Sequence, residues 1–125
     1  MEENSMPHEV AKERTQLAME HARLAERHGM QLVERGKTLQ QSASSQAAGQ
    51  FIERQGELVQ QHAKNAFELA KTAFESSGEA ANQAYEASVE EHSKATEEYT
   101  KAIREFAELA QDHIEQSQAR IKEVK

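Results

Sequence analysis

Six histidines in a chain of 125 residues invite a metal centre or an acid–base site. A carboxylate-bridged di-metal centre in a helical bundle needs Glu-x-x-His on facing helices, so that both ligands project from one turn. The residues three positions before His21, His28, His62, His92 and His113 are Ala18, Ala25, Val59, Val89 and Ala110. None is acidic, and no His-x-x-x-His pair presents two imidazoles one helical turn apart. The chain has no cysteine, which removes thiolate ligands and disulfides. Serines are frequent, yet no Gly-x-Ser-x-Gly elbow and no glycine-rich phosphate loop occurs. The sequence therefore predicts no catalytic residue, no metal, no cofactor and no enzymatic activity.

What remains is a basic-capable seam. Arg14, His21, His28 and Arg35 recur every seven residues, between the Ala18/Ala25/Leu32 column and the Leu17/Leu24 column. Such side chains can snorkel to the edge of an apolar face or pair with an acidic neighbouring helix. Contact with an anionic or ester-rich surface and a histidine pH switch are the functional alternatives. His92 falls in the middle of an apolar stripe, where a polar residue can set the register of an assembly.

Composition limits the elements that could carry these residues. Leu, Ile, Val and Phe account for only 20 positions, about 16% of the chain, against 20 Ala and 13 Gln. That is below the roughly 20% at which disorder becomes an alternative, while Ala and Gln are strong helix formers. Proline occurs once, at Pro7. A net charge of −7 and an acidic second half argue against a nucleic-acid partner. No window has the ~18 apolar residues of a transmembrane segment, and the acidic start lacks a signal-peptide pattern, so a cytoplasmic protein is expected.

The hydrophobic period is helical throughout. Residues 1–7 read as a flexible N-terminal tail and 8–125 as a single elongated helical domain, with helices over about 8–40, 51–76 and 79–123. Ser5 and Pro7 suit the start of the first helix. Residues 41–50 lose all large apolar side chains and read as a connection, with Ser44 or Ser45 as a cap. Around residues 76–78 two readings stand. Ser76 and Glu79 have capping-box spacing, whereas the apolar stripe passes through in phase, as in an unbroken helix. The fold expected is all-α: long amphipathic helices in a helical hairpin, three-helix bundle or coiled coil, and oligomeric.

One thin stripe marks each helix. The middle helix places Ile52, Val59, Phe67 and Phe74 on one face. The last places Tyr85, Val89, His92, Thr96, Tyr99, Ile103, Phe106, Ala110, Ile114, Ser117 and Ile121 in a column. Its mean step is 3.6 residues, the period of a straight helix. These stripes look too narrow to fill a compact core. Ile52, Val59, Phe67, Phe74, Tyr85, Val89, Tyr99, Ile103, Phe106, Ile114 and Ile121 are therefore expected to face a hydrophobic surface or another copy of the chain.

Between Phe51 and Phe74 the sequence FIERQGELVQQHAKNAFELAKTAF alternates Ala/Gln-rich turns with isolated Phe and Leu. With the absent cysteine and near absence of proline, this texture resembles the phasins, small proteins that coat polyhydroxyalkanoate storage granules. The resemblance covers residues 30–115. It implies a cytoplasmic, granule-associated, non-catalytic homo-oligomer whose apolar helical faces adsorb to the polyester or another hydrophobic surface. The acidic C-terminal segment departs from the more neutral composition of that family. A coiled-coil or bundle scaffold that docks other proteins is the alternative reading of the same stripes.

Overall fold

The computed structural model describes residues 8–124, with side chains from Ala11 to Glu123. Three helices carry the chain: α1 (His8–Leu39), α2 (Gln46–Glu75) and α3 (Gly78–Val124), with a short 3-10 turn over Ala43–Ser45. No strand occurs among the described residues, so the all-α fold expected from the hydrophobic period is what forms. The expected tail at 1–7, and the Ser5/Pro7 helix start, lie outside the described residues.

The α1/α2 hairpin is built on side-chain absence. Thr15, Ala22, Gly29 and Gly36 recur every seven residues on α1; Gly49, Gly56, Ala63 and Ala70 do so on α2. All eight are buried. The helices run antiparallel and set Gly29 against Gly56 and Gly36 against Gly49; the same register carries Ala22 opposite Ala63 and Thr15 opposite Ala70. The backbones are so close that a Cβ added at Gly36 would lie 2.5 Å from the Glu53 nitrogen and 2.7 Å from the Gly49 carbonyl oxygen. This is how a chain poor in large apolar residues makes a core: small residues bring backbone against backbone, and dispersion accumulates over many atom pairs.

This packing also corrects one boundary. The connection expected over 41–50 is confined to residues 40–45, and α2 begins at Gln46. Ala47, Ala48 and Gly49 read as loop because they bring no apolar bulk, but all three are helical, and at Gly49 nothing larger fits against Gly36. Nor does Ser45 cap α2 with its hydroxyl. Its Oγ instead donates to the Leu39 carbonyl at 2.7 Å, closing the turn onto the last residue of α1. Gln40 reaches across to Glu53, Nε2 donating to Oε1 at 2.6 Å.

The second turn resolves the two readings of residues 76–78 in favour of a break. Ser76 is extended, its N–H bonding back to the Ala73 carbonyl at 3.3 Å, and Gly78 has φ +62°. Glycine adopts this left-handed conformation without the steric cost other residues meet. The chain reverses, and α3 returns antiparallel along α2, where Ser88 Oγ donates to the Ala66 carbonyl at 2.9 Å. Leu32, Ile52, Val59, Ala95 and Ala102 form the buried apolar cluster, with Leu39, Tyr99 and Phe106 against it.

α2 is thus the middle helix, in close contact with both others, while α1 and α3 meet mainly through long side chains. α3, at 47 residues, outruns its partners. Every residue from Ala110 to Glu123 is exposed, a projecting segment of about 21 Å at 1.5 Å per residue.

Candidate functional site

The basic seam of α1 meets the aromatic column of α3 in register. The Arg14 guanidinium sits 4.0 Å from the Tyr85 ring centroid, the His21 and His92 rings are 6.3 Å apart, and those of His28 and Tyr99 5.6 Å. Each pair is separated by 71 residues, because α1 and α3 run parallel on either side of α2 and both advance by heptads on these faces. Arg14, His21 and His28 thus pack against rings of α3, a contact that is not among the readings the sequence left open for the seam. Arg35, at the far end, is exposed.

These stacked pairs bridge a groove between α1 and α3. One part, of about 210 Å³, is walled by His21, Leu24 and His28 on α1 and by His92 and Tyr99 on α3, with Val59 of α2 also lining it. The adjoining part, of about 190 Å³, is lined by Arg14, Leu17, Tyr85, Ser88 and Val89, and shares His21 and His92 with the first. Among the described residues no acid lines either part. Arg14 Nε and His92 Nδ1 are buried without a hydrogen-bond partner. Burial, and secondarily the neighbouring His21, hold the His92 pKa below its ordinary value, so neutral imidazole is favoured there.

Beside the groove lies an open apolar strip. Among the described residues eight large hydrophobic side chains are exposed, and six belong to this strip. Leu17 and Leu24 form its α1 rim, and Val89 and Ile103 its α3 rim. Ile114 and Ile121 continue the α3 column onto the projecting segment at helical spacing. Met30 and Phe51 are the other two.

The residues expected to form one interface therefore divide four ways. Val89, Ile103, Ile114 and Ile121 are open to the outside. Tyr85, Tyr99 and Phe106 are half-buried along the inner side of the α3 column. Ile52 and Val59, 0% and 1% exposed, belong to the core of the chain itself and are not outward-facing. Phe67 and Phe74 are half-buried on the α1/α2 flank, beneath Arg23 at 4.6 Å and Lys12 at 4.7 Å. Periodicity placed Ile52 and Phe67 on one face of α2, but that face is shared between two neighbouring helices.

On the opposite flank Glu91 links α2 to α3. It accepts from Asn65 Nδ2 at 3.1 Å, lies 3.0 Å from His62 Nδ1, and pairs with Lys94 Nζ at 3.1 Å. The hydrogen bond with His62, and then those with Asn65 and Lys94, hold its pKa at about 2, against the opposing effect of burial. No group of three or more His, Asp or Glu side chains suited to a metal ion occurs among the described residues, and no helix there is long and apolar enough to cross a membrane. Sequence reasoning missed the heptad-spaced Gly29/Gly36 and Gly49/Gly56 pairs that set the helix positions. Their spacing is visible in the chain, but they lie in columns without bulky residues, where a hydrophobic-period search finds nothing. No protein-family model, no curated protein and no solved structure matches this chain.

Proposed function

We propose that this chain is a non-catalytic, phasin-like protein that adsorbs to the hydrophobic surface of polyhydroxyalkanoate granules, in the cytoplasm, through the open strip on α1 and α3. The observation that carries the reading is the gathering of six of eight exposed large apolar side chains on that strip. A contiguous exposed apolar surface on a protein is characteristically an interaction site. Helices bearing such a face lie flat on an apolar phase, with their polar faces in water. The acidic character of α3 favours an uncharged polyester over an anionic bilayer.

The test is sedimentation of the purified chain with polyhydroxybutyrate particles at moderate salt. Depletion from the supernatant is expected, and its loss in an Ile114→Glu/Ile121→Glu variant, where both changes are at exposed positions. Particles that leave the supernatant undepleted sink the reading.

A second reading rests on the projecting end of α3. Fourteen consecutive residues, with Ile114 and Ile121 among them, form a helix that the other described residues leave exposed. Self-association into a helical scaffold covers that stripe equally well. Light scattering distinguishes the two: a stable monomer that still coats particles supports adsorption alone.

A further inference from the structure

We propose that the groove between α1 and α3 binds one molecule of a single-chain amphiphile with a carboxylate head, the head beside Arg14, His21 and His92 and the tail over Val59 and Ala95. This binding does not depend on adsorption to a polyester surface, although Leu17, Leu24 and Val89 belong to both the groove wall and the open strip.

The argument begins with charge. The chain has 22 acidic side chains and a net charge of −7, yet among the described residues no acid lines the groove. What lines it instead is a guanidinium and three imidazoles, with Arg14 Nε and His92 Nδ1 buried and unpartnered. A buried polar atom without a partner carries a desolvation cost, which a carboxylate oxygen at hydrogen-bond distance would relieve. Charge-assisted bonds from guanidinium to carboxylate are among the strongest that side chains make.

Shape selects the rest of the ligand. The part beyond His21 and His92 is mostly apolar, walled by Leu24, Ala25, Ala95 and Tyr99. Together the two parts enclose about 400 Å³, within the roughly 300–1,000 Å³ typical of small-molecule sites. From Arg14 to His28 the groove runs about 21 Å along α1, so a linear molecule fits it. A polar head at one end and an apolar trough at the other describe an alkyl carboxylate.

Protonation belongs to the same picture. The titratable and charged groups facing His21 and His92 are Arg14 and His28 of α1 and Tyr85 and Tyr99 of α3. α2 contributes the uncharged Val59. Burial, and then the neighbouring His21, hold the His92 pKa below its ordinary value; an anionic ligand beside the ring opposes that shift, so affinity rises as pH is lowered.

The experiment is isothermal titration of the full chain with dodecanoate below its micelle concentration, with dodecanol and dodecyltrimethylammonium in parallel, followed by histidine ring NMR. One equivalent of dodecanoate is expected to bind and shift the His21 and His92 resonances. Both other head groups should bind at least about tenfold more weakly, as the loss of one charge-assisted bond implies. Arg14→Gln should bring dodecanoate to the level of dodecanol and leave dodecanol unchanged. Leu24→Glu, at an exposed rim position, places an acid beside the groove and should weaken dodecanoate while circular dichroism stays that of the parent. Equal affinity for all three head groups, absence of saturable binding, or binding only to vesicles containing anionic lipid overturns the proposal.

Discussion

Replacing Gly36 by alanine sets two physical effects against each other, and the architecture decides the sign. Gly36 lies inside α1, where alanine is preferred over glycine by about 1 kcal/mol through helix propensity alone. Its added Cβ, however, would lie 2.5 Å from Glu53 N, 2.7 Å from Gly49 O and 2.8 Å from Glu53 Cα. All three are backbone atoms, so no side chain can rotate away. To reach ordinary carbon contact at about 3.5 Å, α1 and α2 must separate locally by roughly 1 Å, and a gap of that size forfeits a quarter to a half of the dispersion well at neighbouring contacts. Overpacking of this kind costs about 1–3 kcal/mol. Set against the propensity gain, the net is a destabilisation of about 1 kcal/mol, or a Tm lowered by some 3–5 °C for a chain of this length. Thermal and urea melts followed by circular dichroism at one fixed protein concentration measure it. Ser93→Ala, on the exposed surface of α3, supplies the propensity effect alone and should stabilise by a few tenths of a kcal/mol. A Gly36→Ala chain more stable than the parent would refute the close approach of the two helices.

The remaining predictions address the core, the projecting segment and the Glu91 carboxylate, whose pKa is lowered. Ile52→Ala, at a side chain with no exposure, should cost about 2–4 kcal/mol in a urea melt, whereas Ile121→Ala should stay within about 0.5 kcal/mol. Ending the chain after Leu109 should leave the melting midpoint of the three-helix body nearly unchanged and abolish depletion by polyester particles, since every residue from Ala110 to Glu123 is exposed. Glu91 has a folded pKa of about 2, below its ordinary 4.5, so its contribution is complete above pH 4.5 and is lost as pH falls toward 2. Glu91→Gln should therefore lower stability at neutral pH and flatten that acid limb; a chain whose acid limb is unaltered contradicts the bridge to His62.

The helices themselves were legible because their signal is repetitive. The column from Tyr85 to Ile121 keeps one phase over ten steps, and α3 forms through all of it. The turns were less so. The break at Ser76–Ser77 carries no interruption of the apolar stripe, and only Gly78, with its positive φ, makes the reversal possible. At Gly49 the failure ran the other way, since a run of small residues looks like a linker when the partner that needs them small is unknown. The groove was half visible: the Arg14/His21/His28/Arg35 heptads stand out in the sequence, but what they face depends on helix order, which no local pattern encodes. For the same reason Ile52 and Val89, alike as stripe residues, ended up inside and outside.

The groove follows from the same heptad that makes the hairpin tight. On α1 the column Thr15, Ala22, Gly29, Gly36 is one residue on from Arg14, His21, His28, Arg35, a rotation of about 100°. The first column draws α1 onto the backbone of α2. The second then necessarily points beside α2, toward whatever lies on its other side, and α3 lies there. Because that column is long and polar, and its counterparts Tyr85, His92 and Tyr99 are large, α1 and α3 are held apart by their own side chains. Two helices that both pack closely on a third, yet are kept apart from each other, leave an open trough over the third helix. A bulkier first column would lift α1 away from α2 and change the width of the trough. The glycines between α1 and α2 are thus what fixes the distance between Arg14 and Tyr85, and a groove that recognises an anion inherits its geometry from them.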